Sequence, residues 1–97
     1  AETRALLVAA LEPAIDRGAW ISSQSAGLHL VVRLPDGWDD RKLADAAARH
    51  DIRVSALSTY FIAPTRAAGL VVGFGYAPSE KVVRGGRILA QILRSAL

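Results

Sequence analysis

Ninety-seven residues, 52% of them hydrophobic and 22% charged, suffice for one domain with one core, residues 1–97, and are too few for two. No apolar run nears the roughly 20 residues of a membrane helix, and the lack of cysteine excludes a disulfide framework, a thiolate nucleophile and a thiolate-held zinc. The net charge of +3 raises nucleic acid as a partner, but the twelve basic residues alternate with acids and only Arg84, Arg87 and Arg94 crowd one helix. That pattern reads as a solvated helix face rather than a phosphate-binding surface.

In chain order, Leu7, Ala10, Leu11 and Ala14 recur at the spacing of an amphipathic helix over about residues 2–12. Pro13 lacks a backbone donor, so the helix is expected to end or bend just before it. Glu2, Arg4 and Glu12 interrupt the apolar residues here, which speaks against a secretory leader. After Gly18, WISSQ at 20–24 reads as a short strand, and Ser25, Ala26 and Gly27 make a turn. Leu28, Leu30 and Val32 then alternate with His29, Val31 and Arg33, the period-two mark of a strand with one well-buried side.

Pro35, Asp36 and Gly37 supply turn chemistry, and Asp39 is placed to cap a helix running to about His50 with Leu43, Ala46 and Ala47 inward. A third strand sets Ile52, Val54 and Ala56 on one face, followed by the irregular stretch STYFIAPTRAAG. The fourth sets Leu70, Val72 and Phe74 against Val71, Gly73 and Gly75, whose glycines permit a close approach. A last helix opens at Ser79 as N-cap and buries Val82, Leu89, Ile92 or Leu93, and Ala96. Gly85 and Gly86 each cost that helix about 1 kcal/mol relative to alanine, so tight packing or a bend is expected there.

These elements predict an α+β fold: a four-stranded, mainly antiparallel sheet with three helices on one face. The other face would carry Val31, Val71, Gly73 and Gly75, too apolar for a surface meant only for water, so either loops of the chain or another protein surface should cover it.

The polar residues supply no catalytic set. His29 lies on a strand and His50 at a helix end, where packing, hydrogen bonding and the helix dipole explain them, and no carboxylate stands at ligand spacing for a metal. Asp36, Asp39, Asp40 and Asp45 gather around a turn and helix start, as caps and solvated groups do. The serines make no nucleophile elbow, Gly73-Phe74-Gly75 does not complete a phosphate loop, and Lys42 and Lys81 sit in exposed first helical turns. Whether a parent protein is an enzyme stays open on these residues.

The run GLHLVVRLPDGWDDRKLADAAARHDIRVSALSTYF, continued through GLVVGFGYAPSEKVVRGGRILAQIL, resembles the C-terminal small domain of fold-type I aminotransferases, closest to the MocR branch of GntR-type transcriptional regulators. The phrase at Gly27, Leu28 and His29 carries the resemblance, with Val54, the Ser58 and Tyr60 neighbourhood, Gly69, Leu70 and Gly73, and Val82, Gly85 and Leu89 in the last helix.

A cytoplasmic origin fits the absence of cysteine, and the resemblance implies a parent with an N-terminal winged helix-turn-helix that binds DNA. It also implies an aminotransferase-like domain that holds pyridoxal phosphate on an upstream lysine and senses an amino acid or vitamin. The partners implied are that large domain and a second copy in a homodimer, with DNA reached only through the N-terminal part. No cofactor is expected on these 97 residues themselves. Ser58, Tyr60 and Arg66 are the candidate substrate or effector contacts. One position departs from the family pattern, since Val71 stands where an aminotransferase places its carboxylate-binding arginine, and valine cannot make that two-pronged contact. Two alternatives remain, the small domain of a working aminotransferase and an unrelated ligand- or protein-binding α+β module.

Overall fold

In the computed structural model, which describes residues 2–15, 17–22, 28–47, 53–61, 67–75 and 78–96, the chain has three helices and four strands. The order is α1 (Glu2–Ile15), β1 (Trp20–Ile21), β2 (His29–Leu34), α2 (Asp40–Ala47), β3 (Arg53–Ala56), a 3-10 turn (Leu57–Tyr60), β4 (Ala68–Gly73) and α3 (Ser79–Ala96). The strands form one antiparallel sheet in the order β1-β2-β4-β3. The chain leaving β2 therefore crosses through α2 to β3 and leaves a gap, which β4 fills.

Alternation decides which way each strand faces. Leu30 pairs with Val72, Val32 with Leu70 and Leu34 with Ala68, while Val54 and Ala56 continue the same face from the other side of β4. Against that face pack Leu7, Leu11 and Ala14 of α1, Leu43, Ala44 and Ala47 of α2, and Val82, Leu89 and Leu93 of α3. Each fully buried leucine here contributes roughly 1.5–3 kcal/mol. The α+β architecture with three helices on one sheet face is thus the one the sequence predicts.

Several local expectations are corrected. Helix α1 continues through Pro13 to Ile15 instead of stopping near residue 12. Pro13 removes the donor that would reach the carbonyl of Ala9, but Ala9 is exposed and water can satisfy that group, while Ala14 is fully buried and holds the last turn on the core. Gly18 then reverses the chain at a φ of 111°, in the left-handed region that favours glycine. The described part of the WISSQ strand is Trp20–Ile21, its remainder at 23 and 24 lying outside the described residues. Leu28 shares parity with Leu30 but lies in the turn before β2 and is exposed.

Asp39 caps α2 as expected, its Oδ1 accepting from the Lys42 backbone N–H at 3.1 Å. Asp39→Ala should therefore lower stability by about 1 kcal/mol, read from the urea unfolding midpoint. The inward stripe of α2 is Leu43, Ala44 and Ala47, with Ala46 exposed rather than buried. The reason is that Asp40 itself turns inward, and residues 40, 43, 44 and 47 share one face at helical spacing. Residues 48–50, including His50, lie outside the described residues, as does Ile52.

Ser79 is the first residue of α3 rather than its cap. The carbonyl of Pro78 accepts from Lys81 and Val82 at 3.0 and 3.1 Å, and the Ser79 hydroxyl pairs with that of Thr3 at 3.0 Å. Thr3 beside Ser79, Leu7 beside Gly86, and Glu12 and Pro13 beside Arg94 show that α1 and α3 run side by side in the same direction. Gly85 and Gly86 are both buried, and a Cβ at Gly86 would stand 2.8 Å from Leu7 Cδ1 and 3.0 Å from Ala10 Cβ. Of the two outcomes expected for this glycine pair, tight packing is the one found at Gly86.

Candidate functional site

The sheet face away from the helices is built from the odd positions of its strands. His29, Val31 and Arg33 of β2 oppose Gly73, Val71 and Gly69 of β4, and Arg53 and Ser55 of β3 extend the row. Val31 and Val71 are half-buried at the centre, and among the described residues no helix lies over them. Around this face the described residues present basic groups: His29 and Arg53 are exposed and Arg33 is half-buried.

Two contacts fix Arg33. Its guanidinium lies 5.5 Å from the centre of the Trp20 ring on the neighbouring strand, and its Nε donates to the Ala68 carbonyl at 3.2 Å. Trp20 and Arg33 are directly opposite in the β1–β2 register, which is why the pair can stack. Glycine at 69 is required by close approach: a Cβ there would lie 2.8 Å from the Val32 carbonyl oxygen and 3.0 Å from Leu57 Cδ2. Gly73 is less constrained, its nearest neighbours being Arg53 Cβ and His29 Cδ2 at 3.5 Å.

A second polar cluster lies where α2, the 3-10 turn and β4 meet. Asp40 is buried at 2% exposure, and its carboxylate accepts from the Ser58 backbone N–H at 2.9 Å, the Ser58 hydroxyl at 2.5 Å and the Gly69 backbone N–H at 3.1 Å. Three donors and the positive end of α2 replace the water a buried carboxylate loses. Thr59 ties the same turn down by donating from its hydroxyl to the Ala56 carbonyl at 2.7 Å. The sequence reading placed Asp40 among solvated caps. The signal that separates it from Asp39 is its place at helical spacing with Leu43, Ala44 and Ala47.

The residues singled out for effector contact are distributed unevenly around this cluster. The backbone N–H and hydroxyl of Ser58 both donate to Asp40, so that side chain is oriented by the fold. Tyr60, two residues on, is 64% exposed, with Phe61 exposed beside it. Arg66 lies outside the described residues. Ser58 and Tyr60 are therefore brought to one turn at the end of β3, the first as a structural partner of Asp40 and the second as an open surface group.

Among the described residues no three His, Cys, Asp or Glu side chains gather as metal ligands. His29 is exposed, and its backbone carbonyl accepts from Arg4 Nη1 at 3.4 Å. Lys42 and Lys81 are both exposed in the first turns of α2 and α3. No described helix is long and apolar enough to cross a membrane. Comparison with family models, with curated proteins and with solved structures finds no match for this chain.

Proposed function

We propose that these 97 residues are the C-terminal small domain of a pyridoxal-phosphate-dependent, aminotransferase-like sensor in a GntR/MocR-type DNA-binding regulator. The one-sided sheet carries the reading: helices bury the Leu30 and Leu70 face, while Val31 and Val71 lie half-buried on a face without a helix among the described residues. Such a face suits a domain that closes over a cleft against a larger one, since apolar surface at a domain boundary is stabilised only when the partner domain covers it.

Val71 favours the regulator over a transaminase. It sits at the centre of the open face between Val31 and Ser55, where a carboxylate-gripping arginine would be needed for amino-acid turnover. The cofactor does not fit this chain, because a Schiff-base lysine needs desolvated surroundings and both lysines are exposed. In this reading the cofactor lysine and the winged helix-turn-helix belong to preceding parts of a cytoplasmic parent, and Tyr60 and Arg66 supply effector contacts from the loop before β4.

Reading the gene upstream of the Ala1 codon tests the proposal. A lysine-bearing large domain preceded by a basic winged helix-turn-helix is expected, and an open reading frame that starts at Ala1 would end it. The isolated chain mixed with pyridoxal phosphate and reduced with borohydride should give only scattered lysine labelling by mass spectrometry. A saturable one-to-one adduct on Lys42 or Lys81 would contradict the assignment.

A further inference from the structure

Parallel packing of α1 on α3 brings together arginines that are far apart in the chain. Arg84, Arg87 and Arg94 of α3 and Arg17, just past α1, are all exposed. They border three open grooves of about 420, 390 and 410 Å3 along the seam of the two helices, all of which include Arg94. Glu12 is the one acid lining them among the described residues.

Of the ten basic and seven acidic residues at described positions, these grooves hold four and one, which leaves six of each sign elsewhere among them. Among the described residues the excess of positive charge thus sits on one seam. Two parallel helices also bring their partial negative ends together, which accounts for Arg94 in the last turn and for Arg17 just beyond α1. It does not account for Arg87, which lies in the first half of α3, more than a turn from its end.

The chemistry of the seam selects its occupant. Protein partners are held mainly by Trp, Tyr and Arg anchors packed in desolvated pockets; here the arginines are exposed along open grooves, and among the described residues the exposed large hydrophobics, Leu6, Val8, Trp20, Leu28, Tyr60 and Phe61, line none of them. From Arg84 to Arg94 the helix rises about 15 Å, a length over which a nucleic-acid duplex presents several phosphates. Guanidinium groups match phosphate oxygens in a two-pronged contact that does not depend on base sequence. We infer that the α1–α3 seam is a sequence-independent binding surface for the phosphate backbone of a nucleic acid. This surface is separate from the open sheet face and does not rest on the aminotransferase-like reading.

The test is fluorescence anisotropy of the 97-residue chain with a labelled DNA duplex of arbitrary sequence, titrated across salt. With three arginine contacts, from Arg17, Arg87 and Arg94, the logarithm of the association constant should fall against that of salt with a slope of about −2.7, and Arg87→Ala should reduce its magnitude by about 0.9. Arg87→Lys should keep the slope, and the double variant Arg87→Glu with Arg94→Glu should lose at least about tenfold in affinity at low salt, with its fold checked by circular dichroism. Absence of binding at low salt, a slope near zero, or an unchanged affinity in the folded double variant would overturn the inference. So would displacement of the duplex by polyglutamate at equal charge concentration, which would make an acidic polypeptide the partner.

Discussion

Asp40→Ala should lower the unfolding free energy by about 3 kcal/mol, because the buried carboxylate accepts from three donors at once. The variant leaves the backbone N–H groups of Ser58 and Gly69 and the Ser58 hydroxyl without their acceptor, at part-buried to buried positions. Each stranded buried donor costs about 1–3 kcal/mol, and the relief of the carboxylate's own desolvation offsets part of the sum. Against a total stability of about 5–15 kcal/mol this is a large fraction, and it should lower the melting temperature by about 12–24 °C.

Asp40→Asn keeps the size but turns an amide N–H toward existing donors, so about half the loss is expected. A double-mutant cycle with Ser58→Ala should return a coupling of about 1–2 kcal/mol, since the two residues share a charge-assisted bond. A loss below about 1 kcal/mol for Asp40→Ala would mean that water replaces the carboxylate and that the cluster does not hold the turn.

The second large effect is expected at the helix seam. Gly86→Leu should cost about 3 kcal/mol, because even the first added carbon would stand 2.8 Å from Leu7 Cδ1 and 3.0 Å from Ala10 Cβ. Leu7 is fully buried and Ala10 Cβ is fixed to the helix backbone, so neither can yield without moving α1. Gly86→Ala separates packing from propensity. In an open helix alanine would gain about 1 kcal/mol over glycine, whereas here a net loss of about that size is expected. Chemical unfolding of both variants reads the result, and stabilisation by Gly86→Ala would show that α1 shifts readily to admit the methyl group.

Much of the architecture was legible because strand alternation is a local property. Leu30, Val32, Leu70 and Val72 announce their shared face by parity alone, since neighbouring side chains in a strand must point to opposite sides. Asp39 as cap was legible for the same reason: the carboxylate acts on a backbone N–H three residues away. Asp40 was not, because its partners Ser58 and Gly69 lie 18 and 29 positions further along the chain. The effector-contact residues divide the same way. Sequence placed Ser58 and Tyr60 on one loop, but only the packed turn gives Ser58 to Asp40 and leaves Tyr60 exposed.

The number and kind of the main elements and the inward face of the strands follow from the sequence, each set by hydrophobic period, turn residues and local capping, whereas the inward stripe of α2 waited on the buried partners of Asp40. Tertiary structure alone decided that α1 runs on past Pro13 because Ala14 is held against the core, and that of two adjacent glycines Gly86 faces Leu7 and Ala10. It also gathered Arg17 with Arg84, Arg87 and Arg94 on one seam. These depend on which surfaces meet across the fold, and periodicity along a chain carries no information about a partner that arrives from about seventy or eighty residues away.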